Sequence, residues 1–278
     1  MEYFTLNNGV RMPVIGLGTF PMKGFTLMKI IYQAVKTKNG GYSSFDTSAA
    51  YGNERWLGFG QKLCEKSRRE LFITTKLSNT QQRSGDVEKA LQKSLKFLRI
   101  SYVDLYLMHW PNPDTYLDCW KKMEELYNKG VARAIGVCNF HQHHLEKLLE
   151  IATVTPAVNQ IELHPLLSQK SLLNFCNKKR IQVVAYSPVA RMHDKLIGNF
   201  ILTELAKKYG KTVTQIILRW DYQCGVITIP KTQQVKRLLE NIEIFDFELS
   251  SDEILAIDSI NEDFRVRHNP DNCDFSKL

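Results

Sequence analysis

The chain has 278 residues, of which 44% are hydrophobic and 24% charged, and its formal net charge is +8. That length suits one large domain or two small ones, with ample chain for a core, and no apolar run reaches the length that spans a bilayer, which argues against a membrane protein. The positive excess would suit an anionic partner, but the basic residues are scattered and lack interleaved aromatics, so nucleic acid is not expected.

In chain order, "YFTLNNGVRMPV" predicts a β-hairpin turning at Asn8-Gly9. An apolar strand follows near Val14 to Leu17. Short apolar runs then alternate with amphipathic stretches. The strand candidates are "SSFD", "LFITTK", "YVDLYLMH", "ARAIGVCN", "AVNQIE", "IQVVAYS" and "GVITIPK". Between them "SGDVEKALQKSLKFL", "CWKKMEELYNKG", "HHLEKLLEI" and "SQKSLLNFCNKK" carry apolar residues at helical spacing. "TVTQIILRWDYQCG" and "SSDEILAIDSI" add helices near the end. This alternation predicts βα units and a parallel sheet, and about eight units is the count that closes a (β/α)8 barrel. A doubly wound open sheet is the alternative. No linker or repeat divides residues 1–278, so one domain is expected. "VARMHDKLIGNF" follows no usable pattern. The tail, residues 261–278, has no period and predicts a mobile lid or a disordered end that, with the loop around Tyr116, sets substrate choice.

The 6 cysteines contain no C-x-x-C pair and read as reduced thiols. "NKKR" at Asn177 to Arg180 reads as a solvated helix end. The opening "MEYFTLNNGV" has no secretory pattern, which favours a cytoplasmic protein. Ser276-Lys277-Leu278 matches a peroxisomal address if the source is eukaryotic. His141 to His144 suggest a metal, but no carboxylate follows at helical spacing, so none is expected. Asp104, inside an apolar strand, predicts a structural hydrogen bond or salt bridge. Trp56, Trp120 and Trp220 are assigned to the core.

Each apolar strand run finishes on a polar residue: Asp46, Lys76, His109, Asn139, Gln160, Tyr186 and Lys231. In a parallel barrel these ends share one rim, where sites are built. Tyr51 would sit on a mobile loop over that mouth. A phenol is a sluggish acid near neutrality, and a nearby ammonium lowers its pKa. Lys76 can supply that charge, Asp46 can keep it protonated, and His109 can orient a carbonyl oxygen. A tuned acid beside an oxygen-binding donor suits protonation of a carbonyl that takes up hydride, most simply from a nicotinamide cofactor. "GLGTFP" and "GFGQKL" both fail as dinucleotide fingerprints for want of a third glycine. The phosphate-binding candidate is instead "IPKTQQVKRLLEN", with Lys231, Thr232 and Arg237 at a strand end and a helix start.

In order, "GLGTF", "FDTSAAYGNE", "FITTKL", "YVDLYLMHWP", "IGVCNF", "VNQIELHP", "AYSP", "IPKT" and "RLLENIEIFDFELS" resemble the aldo-keto reductase family over nearly the whole chain. The resemblance implies a (β/α)8 barrel with an N-terminal hairpin, extra C-terminal helices and extended NADPH. It implies that Tyr51 donates the proton, Lys76 lowers its pKa, Asp46 pairs with Lys76 and His109 orients the carbonyl. Thr19, Asp46, Asn139, Gln160, Tyr186, Ser187, Lys231, Thr232, Arg237 and Asn241 would bind the cofactor. Phe20, His109 and Trp110 would line the substrate mouth. The implied protein is a monomeric NADPH-dependent reductase of small carbonyl compounds. A non-catalytic nicotinamide sensor is the second reading. Three positions depart from the family pattern: Cys138, where serine is frequent, and Phe20 and Ser78 at the mouth.

Overall fold

The computed structural model describes residues 2–37 and 40–277. A two-stranded antiparallel hairpin, β1 (Tyr3–Thr5) and β2 (Arg11–Pro13), opens the chain. Its turn closes through the Gly9 N–H on the Leu6 carbonyl at 2.9 Å, with Gly9 at φ +83°. Eight parallel strands follow in sequence order: β3 (Leu17–Gly18), β4 (Ser44–Asp46), β5 (Phe72–Leu77), β6 (Leu105–Met108), β7 (Ile135–Cys138), β8 (Val158–Glu162), β9 (Gln182–Tyr186) and β10 (Ile227–Thr228). The sheet curls until its first and last strands meet. The Gly16 N–H donates to the Thr228 carbonyl at 2.9 Å, and the Thr228 N–H to the Val14 carbonyl at 3.0 Å. The expected barrel is therefore closed.

The glycines that fail as a nucleotide fingerprint serve the packing at this seam and nearby. A Cβ on Gly18 would stand 2.8 Å from the Ile229 carbonyl oxygen, so a side chain there would push the seam apart. Gly58 lies within the helix Glu54–Lys62, where a Cβ would meet the Phe97 carbonyl at 2.4 Å. It lets that helix lie against the helix Val87–Leu98.

Alternation along the strands divides the core in two. Leu105 and Leu107 face the barrel interior with Phe72, Cys138, Val158, Val184 and Ile227, whereas Tyr106 and Met108 face the helices. Leu6 and Met12 of the hairpin join the inner cluster. Asn7 and Asn8 donate to the carbonyls of Pro156 and Arg133, both at 3.0 Å, just before β8 and β7. The hairpin thus plugs the end where the strands begin, and the polar strand ends gather at the other.

Three longer helices, Gly24–Lys36, Glu54–Lys62 and Phe200–Tyr209, are not anticipated by the sequence pattern. The first begins at glycine with no acidic residue in its first turn and no side-chain cap, and the second is interrupted by two glycines, so their start signals are weak. "VARMHDKLIGNF" forms a short turn of helix at Ala190–Met192 and another at Asp194–Ile197. "NKKR" ends the helix Lys170–Lys178, as expected. Asp104 accepts from Arg68 Nη2 at 2.6 Å, Arg133 Nη1 at 2.7 Å and the Ile73 N–H at 2.8 Å. Trp120 and Trp220 are core, but Trp56 is only half-buried, against the exposed Phe25. Tyr116 is also no surface loop residue: it is buried and meets the ring of Phe140 edge-on.

The tail departs most clearly from expectation. It is laid across the mouth. The N–H groups of Glu262 and Phe264 both donate to the Leu166 carbonyl, at 3.2 and 3.0 Å, and Arg83 reaches the Phe275 carbonyl at 2.9 Å. Within the C-terminal tripeptide, Ser276 and Lys277 fold back on Asp274, while Leu278 lies outside the described residues. Among the described residues no helix is long and apolar enough to cross a membrane.

Candidate active site

Lys76, on β5, is fully buried, an unusual position for an ammonium. It is held by three oxygens. Its Nζ lies 2.5 Å from Asp46 Oδ1 at the end of β4, 2.9 Å from the Thr47 carbonyl and 3.5 Å from the Tyr51 hydroxyl. Burial is the largest single influence and would strip its proton, but the Asp46 charge, the neighbouring Tyr51 and Cys138 and the hydrogen bond to Asp46 together outweigh it and hold the lysine above its ordinary pKa. Asp46 Oδ2 accepts from Gln160 Nε2 at 2.8 Å, which ties β4 across the barrel to β8.

Tyr51 is not on a mobile loop. It ends a 3-10 turn, Ala49–Tyr51, whose start is capped by Ser48 Oγ accepting from the Ala50 N–H at 3.2 Å. Asn53 braces the same turn, donating to Thr19 Oγ1 at 3.1 Å and to the Met22 carbonyl at 3.0 Å. The expected lowering of the phenol pKa does not survive as a net effect. Burial pushes Tyr51 up to about 12, and the Lys76 ammonium only pulls part of that back. The group is therefore a firmly protonated phenol with a cation beside it.

His109 follows β6. Its ring meets Tyr51 edge-on at 5.7 Å, and Nδ1 lies 3.3 Å from Ser48 Oγ. Nε2 has no hydrogen-bond partner among the described residues. Burial, then the charges of Lys76 and Arg267, hold the imidazole well below its ordinary pKa, so it is neutral. A neutral imidazole can donate one N–H to an oxygen without giving up its proton. Phe20 packs 4.9 Å from the Tyr51 ring and is half exposed, whereas Trp110 is buried beside His109. The Ser78 hydroxyl caps the helix Asn79–Ser84, accepting from the Gln81 N–H at 3.3 Å.

The residues assigned to a cofactor fall into two groups. At the mouth, Asn139 has φ +67°, donates to the His109 carbonyl at 3.0 Å and accepts from the Tyr186 hydroxyl at 2.7 Å. Cys138 touches both amides, with Sγ 3.8 Å from Gln160 Oε1 and 3.3 Å from Asn139 Nδ2. Burial pushes its thiol up to about 12, so it is inert as a nucleophile. Thr19 is committed to structure, donating to the Asp46 carbonyl at 2.8 Å. Ser187 follows Tyr186 at φ +50°.

The second group lies past β10. Lys231 and Arg237 are exposed, and neither makes an ion pair among the described residues. Thr232 between them accepts the Gln234 N–H at 3.0 Å, just ahead of the helix Val235–Ile242. Asn241 lies one turn beyond Arg237, and Tyr42 anchors this helix through the Leu238 carbonyl at 3.2 Å. Two unpaired cations at a strand end and helix start fit a phosphate, and two amides and a tyrosine at the mouth fit a nicotinamide.

Three contributors are not evident from the sequence pattern. Ser48 holds His109, the Thr47 carbonyl holds Lys76, and Glu162 holds the tail. Ser48 and Thr47 stand between Asp46 and Tyr51, so their place in the chain was the available signal. The three histidines do find a carboxylate, from the tail rather than from their own helix. His141 Nδ1 lies 2.8 Å from Asp271 Oδ2, and His143 Nε2 3.5 Å from Asp271 Oδ1. His144 Nδ1 accepts the His141 N–H at 3.1 Å, which places its proton on Nε2, the nitrogen facing Asp271.

Comparison with known proteins agrees with this geometry. Residues 15–262 match the model of the Aldo/keto reductase family. A "Glyoxal reductase" of Bacillus subtilis (strain 168) is 47% identical over 271 residues, covering 97% of this chain and 96% of the relative. The crystal structure of MGS-M4, an aldo-keto reductase from a deep-sea metagenome library, superposes with a TM-score of 0.94 at 38% identity, covering 98% of this chain and 99% of that one. A Bombyx mori aldo-keto reductase solved in complex with NADP superposes at 0.90 with 35% identity, covering 97% and 96%. With its closed barrel, its buried lysine and these likenesses, the chain belongs to the aldo/keto reductase family.

Proposed function

We propose that this protein reduces aldehydes and ketones to alcohols at the expense of NADPH, with Tyr51 as the proton donor. The observation that carries this reading is the Lys76 ammonium, 3.5 Å from the Tyr51 hydroxyl and bound to Asp46. The similarity to a glyoxal reductase and to an NADP-bound reductase supports the reaction class and the cofactor.

NADPH, when bound, supplies the hydride. Lys231, Thr232 and Arg237 would hold its 2′-phosphate and Asn241 its adenine. Ser187 would meet the pyrophosphate, Asn139 and Gln160 the nicotinamide amide, and Tyr186 the ring face. His109 donates its free N–H to the substrate oxygen and fixes its position. Tyr51 gives its proton to that oxygen as negative charge builds there. An alkoxide is a far stronger base than phenolate, so this transfer runs downhill even from a phenol at about 12. An ammonium about 4 Å from the phenolate left behind contributes roughly 4 kcal/mol at an effective dielectric of about 20, enough to matter to the barrier. Asp46 keeps that ammonium charged inside the barrel.

Tyr51→Phe tests the assignment. Loss of the proton donor should cost about 10²- to 10⁴-fold in kcat while the Kd for NADPH stays near that of the unaltered protein. NADPH binding without turnover in the unaltered protein, on a broad carbonyl panel, would instead favour a nicotinamide sensor.

A further inference from the structure

His109 is neutral, so it carries a single ring proton, and the nitrogen that holds it decides what the ring can do. It can hold a carbonyl oxygen through Nε2 only if the proton is on Nε2. In a neutral imidazole that choice is made by the hydrogen bond at the other nitrogen. The backbone of His109 is fixed on both sides: its N–H donates to the Leu77 carbonyl at 3.1 Å, and its carbonyl accepts from Asn139 Nδ2 at 3.0 Å. Neither contact reaches the ring. Among the described residues the ring has one polar partner, Ser48, whose Oγ lies 3.3 Å from Nδ1.

Ser48 is fully buried, and a serine hydroxyl has one proton and two lone pairs. One lone pair accepts the Ala50 N–H at 3.2 Å. Were Nδ1 protonated, it would occupy the second lone pair, and the serine's own proton would be left over. Ser48 Oγ makes no other hydrogen bond among the described residues, and a buried donor without an acceptor is costly. With Ser48 donating to Nδ1 instead, both groups are satisfied and the ring proton sits on Nε2. A ring turned over about its own axis pays the same penalty, because it sets a carbon against the hydroxyl.

We propose that Ser48 is a positioning residue that fixes the His109 proton on Nε2, so that the imidazole meets the substrate oxygen as a donor. The proposal rests on the reductase reading above and deepens it at the carbonyl-binding side of the site. Asp46 decides the charge of Lys76, and two residues later Ser48 decides the proton of His109.

Ser48 also caps the turn that ends on Tyr51, so the test has to separate the two roles. A double-mutant cycle does this, with kcat/KM measured on the best substrate of a carbonyl panel that includes glyoxal. Ser48→Ala should lower kcat/KM about three- to tenfold, the value of one lost hydrogen bond, and Ser48→Thr should recover most of it. In a His109→Phe background Ser48→Ala should cost nothing further. An equal loss in both backgrounds would assign Ser48 to the Tyr51 turn alone and overturn the proposal. A second measurement needs no turnover: 15N NMR of the NADPH-bound protein labelled at histidine, with the His109 signals assigned by their loss in His109→Phe. The unaltered protein should show His109 protonated at Nε2 and bare at Nδ1, and Ser48→Ala should move both signals towards a mixture of the two forms. A proton on Nδ1 in the unaltered protein, or ring signals that Ser48→Ala leaves in place, would overturn the proposal. Absence of turnover with the proton on Nε2 would overturn the reductase reading and still bear out the assignment of that proton.

Discussion

Asp46 and Asp221 are both buried acids, 4% and 0% exposed, in different parts of the barrel. Asp46 stands at the mouth with Lys76 on one carboxylate oxygen and Gln160 on the other. Asp221 lies in the helix Val213–Gln223 on the outside of the barrel, and neither of its oxygens has a hydrogen-bond partner among the described residues. The Thr228 hydroxyl is near enough to favour ionisation slightly, but it is not in bonding geometry. Burial therefore drives the carboxyl of Asp221 well above its usual range and favours its neutral form. The difference teaches what a buried carboxylate does here. With a cation it keeps a lysine charged for chemistry, and without one it gives up its own charge and lowers stability.

The sharpest break in this contrast is to remove the Asp46 charge. Asp46→Asn leaves Lys76 buried without its counter-ion and should cost about 3–5 kcal/mol of stability in denaturant melts, together with most of the activity. The sign follows from Lys76, whose folded pKa is raised. Its contribution is fully present below the unfolded lysine value of about 10.4 and is lost only as pH rises through the folded value. The cost should therefore be complete at pH 7. A melt unchanged at neutral pH would show that the pair is not coupled to folding.

Asp221→Asn should have the opposite sign and a smaller size. A carboxyl whose folded pKa is raised supports stability below its unfolded value of about 3.9 and loses that support as pH rises towards the folded value. At pH 7 the amide should therefore raise stability by about 1–3 kcal/mol, and it should flatten the fall in stability as pH rises above the unfolded value. A destabilised variant would indicate an ordered partner for Asp221.

A smaller effect separates the mouth from the rest of the rim. His109 is held neutral, so kcat should show no limb near the ordinary histidine value of about 6.5 and should stay flat in the window around it. A limb in that window that disappears in a His109 variant would mean that the imidazole is charged during turnover.

Much of the mouth was legible because each apolar strand run ends on a polar residue, and a parallel barrel sends all those ends to one rim. Asp46, Lys76, His109 and Gln160 could be placed on that ground alone. Their energetic balance could not. The phenol pKa depends on how completely Tyr51 leaves water, and the spacing of residues 46–51 carries no measure of that. The path of the tail was hidden for a different reason. The tail has no hydrophobic period, and what positions it is Glu162, more than a hundred residues away in the chain. Asp221 sits in a run that reads as an ordinary amphipathic helix, and only the packing of that helix on β10 shows that its carboxyl is alone.

The central claim is that the Lys76 ammonium assists proton transfer from Tyr51, and single-turnover reduction followed by NADPH absorbance in Lys76→Met tests it most directly. The rate should fall by about 10²- to 10³-fold, the loss that roughly 3–4 kcal/mol of charge stabilisation implies, with NADPH still bound. A rate equal to that of the unaltered protein, at full NADPH occupancy, would contradict it.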